Sequence, residues 1–190
     1  MAIEIEKKFR LKEGQAELII RRLKKLGAEY KGRCLEQNSL YKGGVLDGKA
    51  AFLRLRKINK SGVLTYKEQV DDVGKKTKQN SDIKKKIEFE TAVDDVTAME
   101  NIIEKLGYTL SICYEKKRRT YRLPGVEVVI DELPFGMYME IEGSERGIAK
   151  MEKALDIPDL IPEPIGYPGL TIKFGKVVKG IHEAKFSSRT

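Results

Sequence analysis

Apolar and charged positions alternate with period two over much of this chain. In Ile3-Glu4-Ile5-Glu6-Lys7-Lys8-Phe9, an extended strand puts Ile3, Ile5 and Phe9 on one face and Glu4, Glu6 and Lys8 on the other. The apolar-Glu-apolar-Glu pattern returns as Ile87-Glu88-Phe89-Glu90 and as Met139-Glu140-Ile141-Glu142. One such strand is what any half-solvated sheet shows; three with paired carboxylates call for a common reason. Further strands are predicted over 28–41, 51–58, 62–69, 83–90, 108–123, 126–131 and 138–141. Short turns such as Asn59 to Gly62 and Pro124-Gly125 make sequence neighbours pair antiparallel.

Helical spacing interrupts the alternation three times. Over 13–26, Ala16, Ile19, Ile20, Leu23 and Leu26 form a stripe that Gly27 closes. Over 96–106, Val96, Met99, Ile102, Ile103 and Leu106 do the same, with Asp94 or Asp95 as N-cap and Gly107 at the end. Over 144–155, Ser144 caps a helix that turns Ile148, Met151 and Leu155 inward. The first two helices sit in matching contexts: IEIE, helix, LKKLGAEY is echoed by IEFE, helix, IEKLGYTL. The echo suggests two similar halves, each with an acidic strand, a covering helix and a returning strand.

These helices decide which way the strands face. Their apolar stripes need an apolar partner, and the outer faces of the strands are the large candidates. The charged faces then line the interior. The expected fold is α+β, an eight-stranded antiparallel closed β-barrel forming a tunnel, with helices packed outside. It occupies 1–180 as one domain, with a flexible tail over 181–190. The run DDVGKKTKQNS at 71–81 reads as a solvated loop or a flap over a site, and 158–168 is read as breaking regular structure.

Composition narrows the chemistry. With 190 residues the chain suits one well-packed domain, and no apolar run approaches a membrane span. Acidic residues at positions 4 and 6 do not fit a signal peptide, so a soluble cytoplasmic protein without a membrane partner is expected. Cys34 and Cys113 lack metal-ligand spacing and are read as buried free thiols; the single histidine, His182, argues against His-based catalysis and zinc. A net charge of +8, from 37 basic and 29 acidic residues, is compatible with nucleic acid, an anionic surface or a small polyanion, and sign alone does not choose.

The inward faces do choose. Glu4, Glu6, Glu140 and Glu142 would crowd hard oxygen donors suited to Mg²⁺ or Mn²⁺. Lys8, Arg54, Arg56, Lys67, Lys116 and Arg118 outnumber those four acids, so a polyanion is expected to complete the balance. Arginine forks and lysine point charges suit phosphate oxygens, and a linear triphosphate is the simplest ligand that meets both sets.

The ordered series Glu4-x-Glu6-x-Lys8, Leu53-Arg54-Leu55-Arg56, Thr65-x-Lys67, Lys86-x-Glu88-x-Glu90, Lys116-x-Arg118, Asp131 and Glu140-x-Glu142 resembles the CYTH family of triphosphate tunnel metalloenzymes, over about 1–143. The resemblance implies Mg²⁺ or Mn²⁺ held by Glu4, Glu6 and one or both of Glu140 and Glu142, with Asp131 grouped beside them. It implies phosphates gripped by Lys8, Arg54, Arg56, Lys67, Lys86, Lys116 and Arg118. Lys8, Glu88 and Glu90 are the candidates for orienting or deprotonating an attacking water. The family includes thiamine triphosphatases, inorganic tripolyphosphatases, RNA triphosphatases and class IV adenylyl cyclases. The first expectation is therefore triphosphate hydrolysis; the alternatives are cyclisation of ATP to cyclic AMP with release of pyrophosphate, and a polyphosphate-binding module without turnover. Nucleic acid is expected as a partner only through a 5′-triphosphate end, and the protein is expected as a monomer or homodimer. Two places depart from the pattern. Asn38 and Tyr41 stand near where many members carry an Asp before the Tyr, and GLTIKFGKV only loosely resembles the family's closing helix, with Lys173 as a possible counterpart.

Overall fold

The computed structural model describes residues 2–49, 51–69 and 83–187. The solvated loop or flap expected over 71–81 lies outside these residues. The chain runs β1 (Ala2–Leu11), α1 (Gln15–Lys25), β2 (Glu29–Lys42), β3 (Ala51–Ile58), β4 (Ser61–Gln69), β5 (Ile83–Val93) and α2 (Val96–Lys105). It continues through β6 (Thr109–Leu123), β7 (Val126–Leu133), β8 (Gly136–Gly143), α3 (Glu145–Leu155), β9 (Ile161–Pro162), α4 (Tyr167–Phe174), β10 (Lys176–Val178) and β11 (Ile181–Ala184).

The strands β1 to β8 close into an antiparallel barrel in the order β2-β3-β4-β5-β1-β8-β7-β6, sealed by pairing of β6 with β2. The echoed segments hold equivalent places: β1 pairs with β5, and β2 pairs with β6. Both α1 and α2 end in a glycine in the left-handed region, Gly27 at φ 76° and Gly107 at φ 89°, which is why a glycine follows each helical stripe. Asp95 caps α2 by accepting from the Ala98 N–H, and Ser144 caps α3 by accepting from the Gly147 N–H.

Three helices cover the outside of the barrel. Ile19 and Leu23 of α1, with Ile148 and Leu155 of α3, bury against Phe9, Ile130, Met139 and Ile141, the outward residues of β1, β7 and β8. Each side chain so buried contributes about 2 kcal/mol of apolar transfer free energy. On the other side, Val96 and Ile103 of α2 pack on Tyr41, Leu55 and Val93. The charged parity of the same strands is thereby turned inward, as the helical stripes require.

The fourth helix begins at the end of the expected break over 158–168 and runs through the segment only loosely similar to the family's closing helix. α4 seats Tyr167 and Leu170 against Leu40, Tyr114, Leu133 and Tyr138, which occupy the inward parity at one end of the barrel. That end is therefore filled by side chains.

The stretch after Gly180 also departs from the expectation of a flexible tail. Residues Ile181–Ala184 form β11, which pairs with β10 and runs parallel to β6, with His182 opposite Ile112. The Phe186 N–H then donates to Glu115. Backbone pairing along β6, where β7 does not reach, accounts for the order that polarity alone hid. Cys34 and Cys113 are free, as expected, but half-buried. Among the described residues no helix is long and apolar enough to cross a membrane.

Candidate functional site

The inward side chains enclose a cavity of about 640 Å³. Of the residues expected from sequence, Glu4, Glu6, Lys8, Arg54, Arg56, Lys67, Lys86, Glu88, Glu90, Lys116, Arg118, Glu140 and Glu142 line it, while Asp131, also of inward parity, lies fully buried beneath Lys116, Arg118 and Tyr167. Pleating places them there, since on each strand every second residue shares the interior.

Toward the α4 end the charges form a closed network. Arg118 donates to both oxygens of Asp131, at 2.8 and 2.6 Å, and to Glu140 at 2.7 Å. Lys116 reaches Asp131 at 3.2 Å and Glu36 at 3.3 Å. The Tyr167 hydroxyl donates to Asp131 at 2.8 Å, and its ring lies under the ammoniums of Lys8 and Lys116. Burial alone would raise the Asp131 carboxyl, but Arg118 and Lys116 outweigh it and hold it well below the usual carboxylate range. Glu36 is held down to about 2 in the same way, against burial, by Lys116, Arg118 and Arg56.

A second network spans β3, β4 and β5. Arg54 donates to the Thr65 hydroxyl at 3.2 Å and to Glu90 at 3.3 Å; Thr65 in turn donates to Glu90 at 2.7 Å. Arg54 also lies 3.6 Å from Glu88, and Arg56 lies 3.6 Å from Glu36. Lys67 pairs with Glu4 and, at 3.2 Å, with Glu88. The cationic surplus expected from sequence is thus largely met from within, because Glu36, Glu88, Glu90 and Asp131 answer the arginines and lysines.

The β1–β8 wall differs. Glu4, Glu6 and Glu142 each offer a carboxylate oxygen, and these atoms lie within 4.8 Å of one another. Glu6 accepts from Lys86 at 2.7 Å, and Lys86 with Lys67 holds its carboxyl below the usual range despite burial. Glu142 forms no ion pair among the described residues. Burial, together with the negative charge of Glu140, Glu4 and Glu6, pushes it up to about 7 against a weaker pull from Arg118. Three hard oxygens at this spacing, one of them short of positive charge, fit a divalent cation such as Mg²⁺ or Mn²⁺. Of the pair Glu140 and Glu142, only Glu142 joins this set; Glu140, like Asp131, engages Arg118.

Among the candidates for handling water, Lys8 lies 4.0 Å from Glu140, and burial lowers its ammonium below the usual range. Glu88 is raised, first by burial and then by Glu4 and Glu90, against Lys67. Glu90 is lowered, because the Thr65 hydrogen bond and Arg56 and Arg54 prevail over burial.

Sequence reasoning missed several members. Glu36 and Lys84 share the inward parity of recognised neighbours, so strict application of alternation to β2 and β5 finds them. Asn38, noted only as a departure, is buried with both amide atoms unpartnered. No periodicity announces Tyr167, which enters from α4. Lys173, the suggested counterpart in the closing helix, is exposed and lies over the Phe174 ring rather than in the cavity.

Comparison with known proteins agrees with this geometry. The model of the CYTH domain matches residues 2–162. A Methanocaldococcus jannaschii protein named "Putative adenylate cyclase" is 26% identical over 155 residues, covering 80% of this chain and 84% of its own length. The solved PH1012 protein of Pyrococcus horikoshii superimposes with a TM-score of 0.70 at 25% identity, over 86% of this chain and 96% of that one. The Hippeastrum protein HpAC1, described as a putative adenylyl cyclase with a dominant triphosphatase activity, superimposes with a TM-score of 0.66 at 19% identity, over 94% and 99% of the two chains.

Proposed function

This chain belongs to the CYTH domain family, and from that premise we propose that it hydrolyses a linear triphosphate inside the barrel with the help of Mg²⁺ or Mn²⁺. The observation that carries the reading is the meeting, in one cavity, of the Glu4, Glu6 and Glu142 oxygens with the ammonium and guanidinium groups of the facing walls. A module that took the anion alone, without a cation, would have no use for the carboxylate trio.

Glu4, Glu6 and Glu142 would hold the divalent ion, which would supply Lewis-acid polarisation of a phosphoryl oxygen. The remaining work falls to the chain. Arg54, Arg56, Lys67, Lys86, Lys116 and Arg118 exchange part of their carboxylate contacts for phosphate oxygens, fixing the chain of phosphates and neutralising charge on the departing group. Glu36 and Asp131 hold Lys116 and Arg118 in place before substrate arrives. Water attacks the terminal phosphorus in line, a P–O bond to it forms, and the bond to the bridging oxygen breaks. We assign the handling of that water's proton to the groups that burial carries toward neutrality, Lys8 and Glu88.

The M. jannaschii relative's name favours a second reading, in which a ribose hydroxyl of bound ATP attacks the α-phosphorus and pyrophosphate leaves. Product analysis separates the two. A panel of tripolyphosphate, thiamine triphosphate and nucleoside triphosphates, incubated with Mg²⁺ and with Mn²⁺, is expected to yield orthophosphate; cyclic AMP with pyrophosphate from ATP would instead support the cyclase. Glu6→Ala is expected to abolish metal-dependent turnover, and near-normal activity in that variant overturns the assignment.

A further inference from the structure

Nearly every cation of the cavity has an acidic partner. Lys67, Lys86, Arg54, Arg56, Lys116 and Arg118 all form ion pairs at 3.6 Å or closer. Lys84 does not. It lies on β5 two residues before Lys86 and lines the same cavity, yet its Nζ is buried and has no hydrogen-bond partner among the described residues. A buried ammonium without an acceptor loses hydration and gains nothing in return, so an apolar residue would serve stability better.

Its place in the register gives the vacancy a meaning. Glu6 on β1 stands opposite Lys84 on β5 and opposite Glu142 on β8, so one row across three strands reads Lys84, Glu6, Glu142. The middle member is satisfied by Lys86 at 2.7 Å. Among the described residues the outer two are not: Lys84 lacks an acceptor, and Glu142 lacks an ion-pair partner. A free anion would answer the first and be repelled by the second, while a bare metal ion would do the reverse. A phosphoryl group chelated to a divalent cation answers both, with the cation on the carboxylate side and an anionic oxygen on the ammonium side.

We propose that Lys84 is a further substrate-binding residue, which grips an oxygen of the phosphoryl group that the metal chelates and so makes metal and triphosphate bind together. This rests on the triphosphatase reading above. It assigns to Lys84 the metal-proximal phosphate, whereas Arg54, Arg56, Lys116 and Arg118 serve the rest of the anion from the facing walls.

The test is calorimetric binding of tripolyphosphate in Mg²⁺ by the unaltered protein and by Lys84→Met and Lys84→Arg, with thermal melting of each protein measured without ligand. Lys84→Gln serves as a second neutral replacement if methionine disturbs packing. Lys84→Met is expected to melt no lower than the unaltered protein, because an unpaired buried charge is gone, yet to bind tripolyphosphate about tenfold to a hundredfold more weakly. Lys84→Arg is expected to recover most of the affinity. A neutral variant that binds within about threefold of the unaltered protein overturns this inference and leaves the triphosphatase reading standing. Failure of the unaltered protein to bind tripolyphosphate with either Mg²⁺ or Mn²⁺ overturns both.

Discussion

The strands β1 and β5 start from the same pattern, Ile-Glu-Ile-Glu in one and Ile-Glu-Phe-Glu in the other, and they lie side by side in the barrel. What faces them on their other flank differs. Across β1, Glu6 meets Glu142 of β8; across β5, Glu90 meets Thr65 and Glu88 meets Lys67 of β4. Carboxylate therefore meets carboxylate on one side, and hydroxyl or ammonium on the other. Glu142 is driven up to about 7, whereas Glu90 is pulled below its usual range by Thr65, Arg56 and Arg54 in spite of burial. A Glu-x-Glu motif is thus not a cation site in itself. The neighbouring strand decides whether its charge is left open for a metal or consumed within the protein.

The sharpest way to break this contrast is to remove the cation that closes the β4–β5 side. Lys67 pairs with both Glu4 and Glu88 and is itself buried. Lys67→Met keeps much of the volume but leaves two largely buried carboxylates short of charge, and a loss of about 3 kcal/mol is expected. Urea unfolding of the metal-free protein at neutral pH measures it. A loss below about 1 kcal/mol would mean that the β4–β5 side is no better compensated than the β1–β8 side.

Much of this arrangement is legible in the chain, and the reasons for the remainder are physical. Period-two alternation reports which residues share a face, and the helical stripes report which face is covered, so the barrel and the inward placement of Glu4, Glu6 and Glu142 follow from pattern. Pattern does not report countercharge. Asp131 and Glu142 both read as inward acids, yet Arg118, Lys116 and Tyr167 converge on the first and leave the second open. That distinction depends on contacts between β6, β7 and α4 that are distant in sequence. α4 itself was hidden because its apolar residues do not form one stripe: Leu170 is buried while Ile172 and Phe174 are exposed, and Pro164 and Pro168 suggest a break. It is held by the end of the barrel rather than along its side. The strand β11 was hidden for the converse reason, since backbone pairing with β6 orders it without an apolar signature.

The open side can be sharpened by pH. The Glu142 carboxyl lies above its ordinary value of 4.5, at about 7, so its contribution to stability is fully present below about 4.5 and is lost as pH rises through about 7. Without metal, the folded protein at pH 8 carries a penalty on the order of 3 kcal/mol from this group. Glu142→Gln does not titrate there. The variant is expected to be more stable than the unaltered protein at pH 8, by up to about 3 kcal/mol, and to match it near pH 4. Added Mn²⁺ should reverse the order at pH 8, because only the unaltered protein has the full carboxylate trio. Thermal melting at the two pH values, with and without Mn²⁺, reads all of this. A difference between the proteins that does not change with pH would remove Glu142 from the account.

The smallest expected effect tests whether the two sides are separable at all. Thr65 is fully buried; its hydroxyl donates to Glu90 at 2.7 Å and accepts from Arg54 at 3.2 Å. Thr65→Val removes both contacts at nearly constant volume, so the cost comes from the hydroxyl rather than from a cavity. Glu90 keeps its contacts with Arg54 and Arg56, and its side chain is 41% exposed, so water replaces part of what is lost. A loss of about 1 kcal/mol in urea unfolding is expected. Mn²⁺ affinity should stay within about threefold, since Glu4, Glu6 and Glu142 converge across β1 and β8 and do not depend on the β4 hydroxyl. A tenfold change in Mn²⁺ affinity on Thr65→Val would show that the charges of the barrel act as one coupled set, and that the strand facing a Glu-x-Glu pair does not by itself decide what the pair binds.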